Sequence, residues 1–143
     1  MTGRIGPIHH VAVVVRSLED ALPRYRQLFG LTADAEPMEP HGQAVRVAFL
    51  PTGPAPAAMI ELIEPTDAQS GVARFLAARG EGLHHVCLRS ADLPGDLAAL
   101  AAAEARLIDN QPRPGAHGSV AFIHPETLSG VLWELMQPPE EPG

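Results

Sequence analysis

Histidine and glutamate residues recur in this sequence at positions where they could bind a metal ion together. One His-His pair stands at His9-His10 and a second at His84-His85, each among apolar residues. Glu61 and Glu134 stand in two further apolar stretches that both end at proline. Imidazole nitrogens and carboxylate oxygens suit divalent ions such as Co, Mn, Ni or Zn. Because a lone carboxylate on a core strand is costly to bury without a cation, this donor set predicts one divalent metal ion per chain.

The two halves of the chain repeat the same short motifs in the same order. Val47-Ala48-Phe49 is matched by Val120-Ala121-Phe122, and Glu61-Leu62 by Glu134-Leu135, both at an offset of seventy-three residues. The His-His pairs lie seventy-five residues apart, so the repeat indicates a duplicated unit of about seventy-five residues. A strand directs successive side chains to opposite faces, so only one histidine of each pair can point where its twin points. The polar residues that the repeat places on otherwise apolar strands are His10, Glu61, His85 and Glu134.

The first half is expected to contain one helix between β-strands. Ser17 and Asp20 form a capping-box pattern, and apolar residues at helical spacing continue to Gly30. The β-branched run that opens the chain is typical of a strand. The strands expected in this half are Ile8–Val15, Leu31–Glu36, Gln43–Leu50 and Ala58–Ile63.

The second half repeats this order after a linker and a short helix over Val72–Ala78. A helix is expected from Asp92, because Pro94 is acceptable in a first turn. Gln111–Gly118 is rich in Pro and Gly and is expected to be a loop. The strands expected in this half are Leu83–Leu88, Leu107-Ile108, Ser119–Ile123 and Val131–Met136.

These elements predict an α+β fold of two paired βαβββ modules, at about residues 7–65 and 82–137. Each module is too small to close a core alone, so we expect residues 1–143 to form a single domain. The two modules would form a cup-like, partly open mixed β-sheet with flanking helices. Pseudo-twofold symmetry would then place the corresponding polar residues of the halves opposite each other.

Composition excludes several classes of function. Of 143 residues, 45% are hydrophobic and 19% charged, which is typical of a globular chain. The net charge of −7 argues against nucleic-acid binding. All ten basic residues are Arg, so chemistry at a lysine is excluded, and a lone cysteine excludes an internal disulfide. No signal peptide and no apolar run of ~18 residues is present, so a cytoplasmic protein without membrane contact is expected.

The chain resembles the vicinal oxygen chelate superfamily (glyoxalase/bleomycin resistance/dioxygenase), and within it the methylmalonyl-CoA epimerases. The most specific stretches are Phe122-Ile123-His124-Pro125 and Gly130-Val131-Leu132-Trp133-Glu134-Leu135, and the resemblance covers nearly all of residues 7–137. It implies a paired-βαβββ fold, a divalent metal, an acyl-CoA substrate and a homodimer. The metal ligands that it implies are His10, Glu61, His85 and Glu134.

The function that the resemblance implies is epimerisation at C2 of methylmalonyl-CoA by 1,1-proton transfer. Inversion at C2 needs two acid/base groups across the substrate plane, and the pseudo-symmetry of the repeat supplies Glu61 and Glu134 as the catalytic pair. Relatives with Gln at the Glu61 position often carry a Glu, a proposed base, where this chain has Val47. Two alternatives are a glyoxalase I-like isomerase, which would use the same four ligands, and a non-catalytic binding protein of this fold. Ethylmalonyl-CoA remains open as a substrate.

Other polar residues have simpler expected roles. Strand alternation predicts that His9 and His84 face solvent or form hydrogen bonds in the core and do not bind metal. Glu64 is expected to be a surface charge at a strand end. Three arginines are candidates for holding an acidic substrate, although exposed Arg on strands is usually only solvated. These are Arg46, Arg89 and Arg113.

Overall fold

This computed structural model describes residues 5–140, which form two compact units. The first unit contains residues 10–84, and the second contains residues 5–9 together with 85–140. Helices pack on β-strands in both units, so the predicted α+β class is confirmed. None of the helices within residues 5–140 has the length and apolarity that crossing a bilayer requires.

The first unit is a three-stranded sheet covered on one face by a helix. Its strands are β1 (Ile8–Val14, in this unit from His10 onward), β2 (Val45–Pro51) and β3 (Met59–Pro65). The central strand β3 is parallel to β1 and antiparallel to β2. Helix α1 (Leu18–Phe29) packs on the sheet through a core of Val15, Leu18, Ala48, Leu50 and Leu62. Helix α2 (Gly71–Arg79) follows β3, with Ser70 as its N-cap.

Helix α1 begins and ends where the sequence predicts. The N–H of Asp20 donates to Oγ of Ser17 (3.2 Å), and Gly30 ends the helix in the left-handed conformation with φ 71°. A second acceptor comes from β3, because the N–H of Leu18 donates to Oε2 of Glu64 (2.7 Å). The expectation that Glu64 is only a surface charge is therefore wrong. Glu64 is half-buried and satisfies the first N–H of α1.

The second unit has four strands and one helix. The strands are β4 (Gly82–Arg89, in this unit from His85 onward), β5 (Arg113–Gly115), β6 (Gly118–Ile123) and β7 (Trp133–Gln137). Strand β7 is parallel to β4 and antiparallel to β6, which is antiparallel to β5. Helix α3 (Leu93–Ala102) packs on the sheet through a core of Leu93, Leu97, Ala121, Ile123 and Leu135. A single 3₁₀ turn, Pro125–Thr127, precedes β7.

Helix α3 is capped in the same way as α1. Asp92 is the N-cap, and its Oδ1 accepts from the N–H of Gly95 (3.1 Å). The N–H of Leu93 donates to Oε1 of Gln137 at the end of β7 (2.7 Å). Gln137 follows Glu64 at the repeat offset of seventy-three residues. In each unit, therefore, the last strand supplies a side-chain oxygen to the first N–H of the helix.

Two short strands expected from the sequence are absent, and only single bridges lie at or near their places. Leu31–Glu36 is not a strand. Beyond it, Met38 pairs once with Val47, and Pro40, two residues further on, has no N–H with which to extend the ladder.

The expected strand Leu107-Ile108 is likewise only a bridge from Leu107 to Ile123. The expected loop Gln111–Gly118 instead contains β5, which pairs with β6 through a tight turn ending at Gly118. Gly118 has φ 141°, and a Cβ there would collide with the carbonyl oxygen of Gln137, so only glycine allows this close approach.

Candidate functional site

In the first unit, the structure brings His10 and Glu61 together on one face of the sheet. Nε2 of His10 lies 3.3 Å from Oε1 of Glu61, and the two side chains are only 6% and 9% exposed. Glu61 lies opposite both Ala12 of β1 and Phe49 of β2, and directly opposed residues share a face. The Phe49 ring meets the His10 imidazole edge to face, with centroids 5.4 Å apart. Packing on Phe49 and the carboxylate of Glu61 together fix the orientation of the imidazole.

The second unit contains the same arrangement in the same register. Nε2 of His85 lies 3.0 Å from Oε1 of Glu134, with side chains 5% and 9% exposed. Glu134 lies opposite both Cys87 of β4 and Phe122 of β6. The Phe122 ring meets the His85 imidazole edge to face at 5.3 Å. The sequence repeat thus corresponds to a repeated three-residue arrangement of His, Phe and Glu.

Each buried pair presents one imidazole nitrogen and one carboxylate oxygen. Such donors fit a divalent ion of the borderline type, for which N and O ligands are both favourable. The local alternative is a metal-free contact between imidazole and carboxylate, in which the desolvation of the buried polar groups can exceed the attraction between them. The chemistry of the donors therefore fits the metal that the sequence predicts. The assignment of the four residues as metal ligands stays a prediction.

The neighbouring histidines have other contacts. His9 is buried, with its ring 5.7 Å from that of His117 in the second unit. His84 is half-buried and packs edge to face on Phe75 of α2 at 4.9 Å. Neither histidine faces solvent fully. The expectation that His9 and His84 do not bind metal stays a prediction.

A cation lies beside the arrangement in the second unit. The guanidinium of Arg113 lies 5.3 Å from the centroid of the Phe122 ring. Nε of Arg113 lies 3.3 Å from Oδ1 of Asp109, whose Oδ2 accepts the N–H of Phe122 (2.8 Å). Neither Asp109 nor the two phenylalanines was selected from the sequence. The matched Val-Ala-Phe motifs were the available signal for the phenylalanines, and nothing in the sequence indicated Asp109.

The other two candidate arginines differ in whether they share a face with the buried His–Glu pairs. Arg46 lies opposite Glu64, on the face of β2 that α1 covers, and its guanidinium is 3.5 Å from that carboxylate. It therefore does not share a face with Glu61. Arg89 lies four residues after His85 on β4 and therefore on the same face of the strand. Its Nε is buried without a hydrogen-bond partner among the described residues.

Val47 occupies the same face as Glu61 but carries no proton-transfer group. It lies opposite Ile63 on β3 and is 2% exposed.

A groove of about 550 Å³ in the first unit is lined by Val13 and Val15, which alternate with the site-facing residues of β1. The groove therefore opens on the opposite face of the sheet from His10 and Glu61.

Comparison with known proteins gives a consistent family match. Residues 9–122 match the family model of the Glyoxalase/Bleomycin resistance protein/Dioxygenase superfamily. The chain is 40% identical over 133 residues to the uncharacterised protein YqjC of Bacillus subtilis, covering 92% of this chain and 91% of that protein. It is 37% identical over 137 residues to an ethylmalonyl-CoA/methylmalonyl-CoA epimerase of Cereibacter sphaeroides, covering 93% and 98%.

Solved structures agree with the sequence relatives. A methylmalonyl-CoA epimerase in complex with methylmalonyl-CoA and NH4+ superposes with a TM-score of 0.87 at 31% identity, covering 97% of this chain and 100% of that one. Similarity of this extent reaches both units. The two buried His–Glu pairs thus lie in a fold whose solved examples include an acyl-CoA complex.

Proposed function

The chain belongs to the glyoxalase/bleomycin resistance protein/dioxygenase superfamily, and from that premise we propose that it catalyses epimerisation at C2 of methylmalonyl-CoA. The observation that carries the proposal is the repeated His–Phe–Glu arrangement, buried in both units and built in the same register. Relatives named as epimerases of methylmalonyl-CoA match over nearly the full chain and support this choice of substrate.

We propose that His10, Glu61, His85 and Glu134 together hold one divalent metal ion. Nε2 of each histidine and Oε1 of each glutamate are the proposed ligand atoms. When bound, the ion supplies Lewis-acid stabilisation of negative charge on the oxygens of the substrate. Phe49 and Phe122 hold the imidazoles in place and keep bulk water away from the ligand nitrogens.

Proton transfer is assigned to the two glutamates. The C2 proton of the substrate lies between a thioester carbonyl and a carboxylate, and its removal leaves an enolate. Inversion requires one group to take this proton and a second group to deliver a proton to the other face of C2. Glu61 and Glu134 supply one such group from each unit. Oε1 faces the imidazole in each pair, and we assign the proton transfer to Oε2.

We propose that the protein, with its acyl-CoA substrate, acts as a homodimer. Leu28 and Phe29 at the end of α1 are 61% and 68% exposed, and Leu83 is 62% exposed. Contiguous exposed apolar surface is typical of protein interfaces, and Leu28 and Phe29 are adjacent at the end of α1. A second copy of the chain is the proposed partner.

The test combines metal content with exchange at C2. The wild-type protein, loaded with Co or Mn, is incubated with methylmalonyl-CoA in deuterated water, and NMR follows deuterium at C2. Exchange with interconversion of the R and S forms supports the epimerase. His85→Ala should lose both the metal, measured by elemental analysis, and the exchange. His84→Ala is the matched control, since it removes the adjacent imidazole and should leave the metal in place.

Two results would contradict the proposal. If His85→Ala retains full metal content, the ligand assignment is wrong. If the wild-type protein instead converts a hemithioacetal and leaves methylmalonyl-CoA unchanged, it is a glyoxalase-like isomerase. Metal binding without turnover of either compound would indicate a binding protein. Repeating the exchange with ethylmalonyl-CoA then tests the size of the C2 substituent that the site accepts.

A further inference from the structure

Arg113 breaks the repeat between the two units at a position next to the proposed site. Arg113 lies opposite Val120 on β6, and Val120 corresponds to Val47 in the first unit. The residue that pairs with Val47 is Met38. Met38 and Arg113 therefore hold equivalent places beside Phe49 and Phe122, but only Arg113 carries a charge.

Strand register places Arg113 on the same face as His85 and Glu134. Arg113 is opposite Val120, which is two residues before Phe122 on β6 and so shares its face. Phe122 in turn is opposite Glu134. Its guanidinium lies over the Phe122 ring at 5.3 Å, and the same ring meets the His85 imidazole at 5.3 Å. One aromatic ring therefore separates the cation from the proposed metal ligand.

Asp109 holds this cation in place without covering it. The contact is made to Nε of Arg113 at 3.3 Å, at the stem of the guanidinium. Asp109 is itself fixed by the N–H of Phe122, which donates to its Oδ2. The Arg113 side chain is 44% exposed, so its outer N–H groups are accessible to an incoming anion.

We propose that Arg113 binds the free carboxylate of the substrate and so sets its orientation, an inference that rests on the proposed epimerase function. A malonyl thioester has one charged end and one neutral end. The two His–Phe–Glu arrangements are alike and do not distinguish these ends. A cation beside the second arrangement and an apolar Met38 beside the first distinguish them, because only the carboxylate gains from the charge.

Arg89 is a weaker candidate for this role. It lies four residues beyond His85 on β4, which corresponds to ~13 Å along the strand. The carboxylate and the thioester of a malonyl group are both within a few bonds of C2, so they must bind near the same ligands. Arg113, which is linked to His85 through Phe122, meets that requirement.

The test compares two ligands that differ only in the carboxylate. Malonyl-CoA and acetyl-CoA share the thioester and all the phosphates, so calorimetric titration with each isolates the contribution of the carboxylate. The variant is Arg113→Met, which introduces the side chain that the first unit already has. Malonyl-CoA should bind about fivefold to tenfold more weakly, where tenfold equals about 1.4 kcal/mol, and acetyl-CoA should change less than twofold. Arg113→Lys, which keeps the charge, should retain most of the affinity for malonyl-CoA.

Arg106→Met is the matched control. Arg106 belongs to the same unit, is 63% exposed and pairs with Glu126, so its loss removes an equal charge at another place. Both ligands should bind this variant as they bind the wild type. If Arg113→Met weakens both ligands equally, Arg113 contacts the CoA portion and the inference is wrong. It is also wrong if Arg113→Met weakens neither. Because epimerisation by the wild type is measured separately, either result leaves the proposed function standing.

Discussion

A single carboxylate is given two tasks in the proposed mechanism. Glu61 would bind the metal and also move a proton, because Val47, which shares its face, is apolar and buried. A carboxylate can bind through one oxygen while the other acts as a base. Glu134 is in the same situation in the second unit.

Glu61→Gln separates the two tasks, because an amide oxygen can coordinate a metal but the amide cannot accept the proton. We expect this variant to keep its metal and to lose epimerisation by roughly 10²-fold, the usual scale for one general base. It should still exchange the C2 proton of one epimer through Glu134. Deuterium incorporation into the separate R and S substrates measures both effects.

Glu134→Gln is the mirror experiment, and it should exchange the opposite epimer. Comparing the two variants tests whether each glutamate serves one face of C2. A Glu61→Gln protein that retains its metal and epimerises at nearly the wild-type rate would rule out the two-glutamate mechanism.

Helices α1 and α3 each depend on a strand later in the chain for the hydrogen bond of their first N–H group. Leu18 and Leu93 are the first residues of the two helices, and their N–H groups donate to Glu64 and Gln137. Both leucines are buried and both hydrogen bonds are partly buried, so loss of the acceptor leaves an N–H group with reduced access to water. The end of the last strand and the beginning of the helix are therefore coupled in each unit.

Gln137→Ala should lower the free energy of unfolding by about 1 kcal/mol, because it leaves the N–H of Leu93 without its side-chain acceptor. Urea denaturation followed by circular dichroism measures the loss. Gln27→Ala is the control, since Gln27 is exposed on α1 and its side chain accepts a hydrogen bond from Arg24 on the same helix. Equal stability of the Gln137→Ala and Gln27→Ala proteins would contradict the capping role.

Elements with strong local signals were predictable from the sequence. Ser17 and Gly30 bound α1 because capping and the left-handed conformation are properties of those residue types. The acceptor Glu64 could not be found in this way, since its contact spans forty-six residues. Strand β5 was also missed, because its Pro and Gly content indicates a loop and only its pairing with β6 makes it a strand.

At the scale of the whole molecule, the apolar side chains left exposed predict self-association. Light scattering at micromolar concentration should give twice the mass of the chain, because burial of Leu28, Phe29 and Leu83 in an interface is favourable. Phe29→Ser should shift the equilibrium towards the monomer if α1 takes part. A monomeric mass for the wild type at this concentration would refute the homodimer.

The candidate site shows what internal repetition can and cannot indicate. The repeat and the family resemblance selected His10, Glu61, His85 and Glu134, and the structure places each histidine against the glutamate of its own unit. Their metal binding stays a prediction. The position of Arg113 above Phe122 could not be predicted, because it depends on a strand that the sequence presents as a loop.

The shared strand register makes the two halves of the chain direct comparisons for each other. The histidines, phenylalanines and glutamates of the two pairs occupy matching positions, so they would present the same chemistry to either end of a ligand. Met38 and Arg113 also occupy matching positions, but one is apolar and the other is charged. A chain with methionine at both places would treat the two ends of a ligand alike at these positions. The asymmetry that the proposed substrate orientation requires is therefore concentrated in one side chain, and a single substitution is enough to remove it.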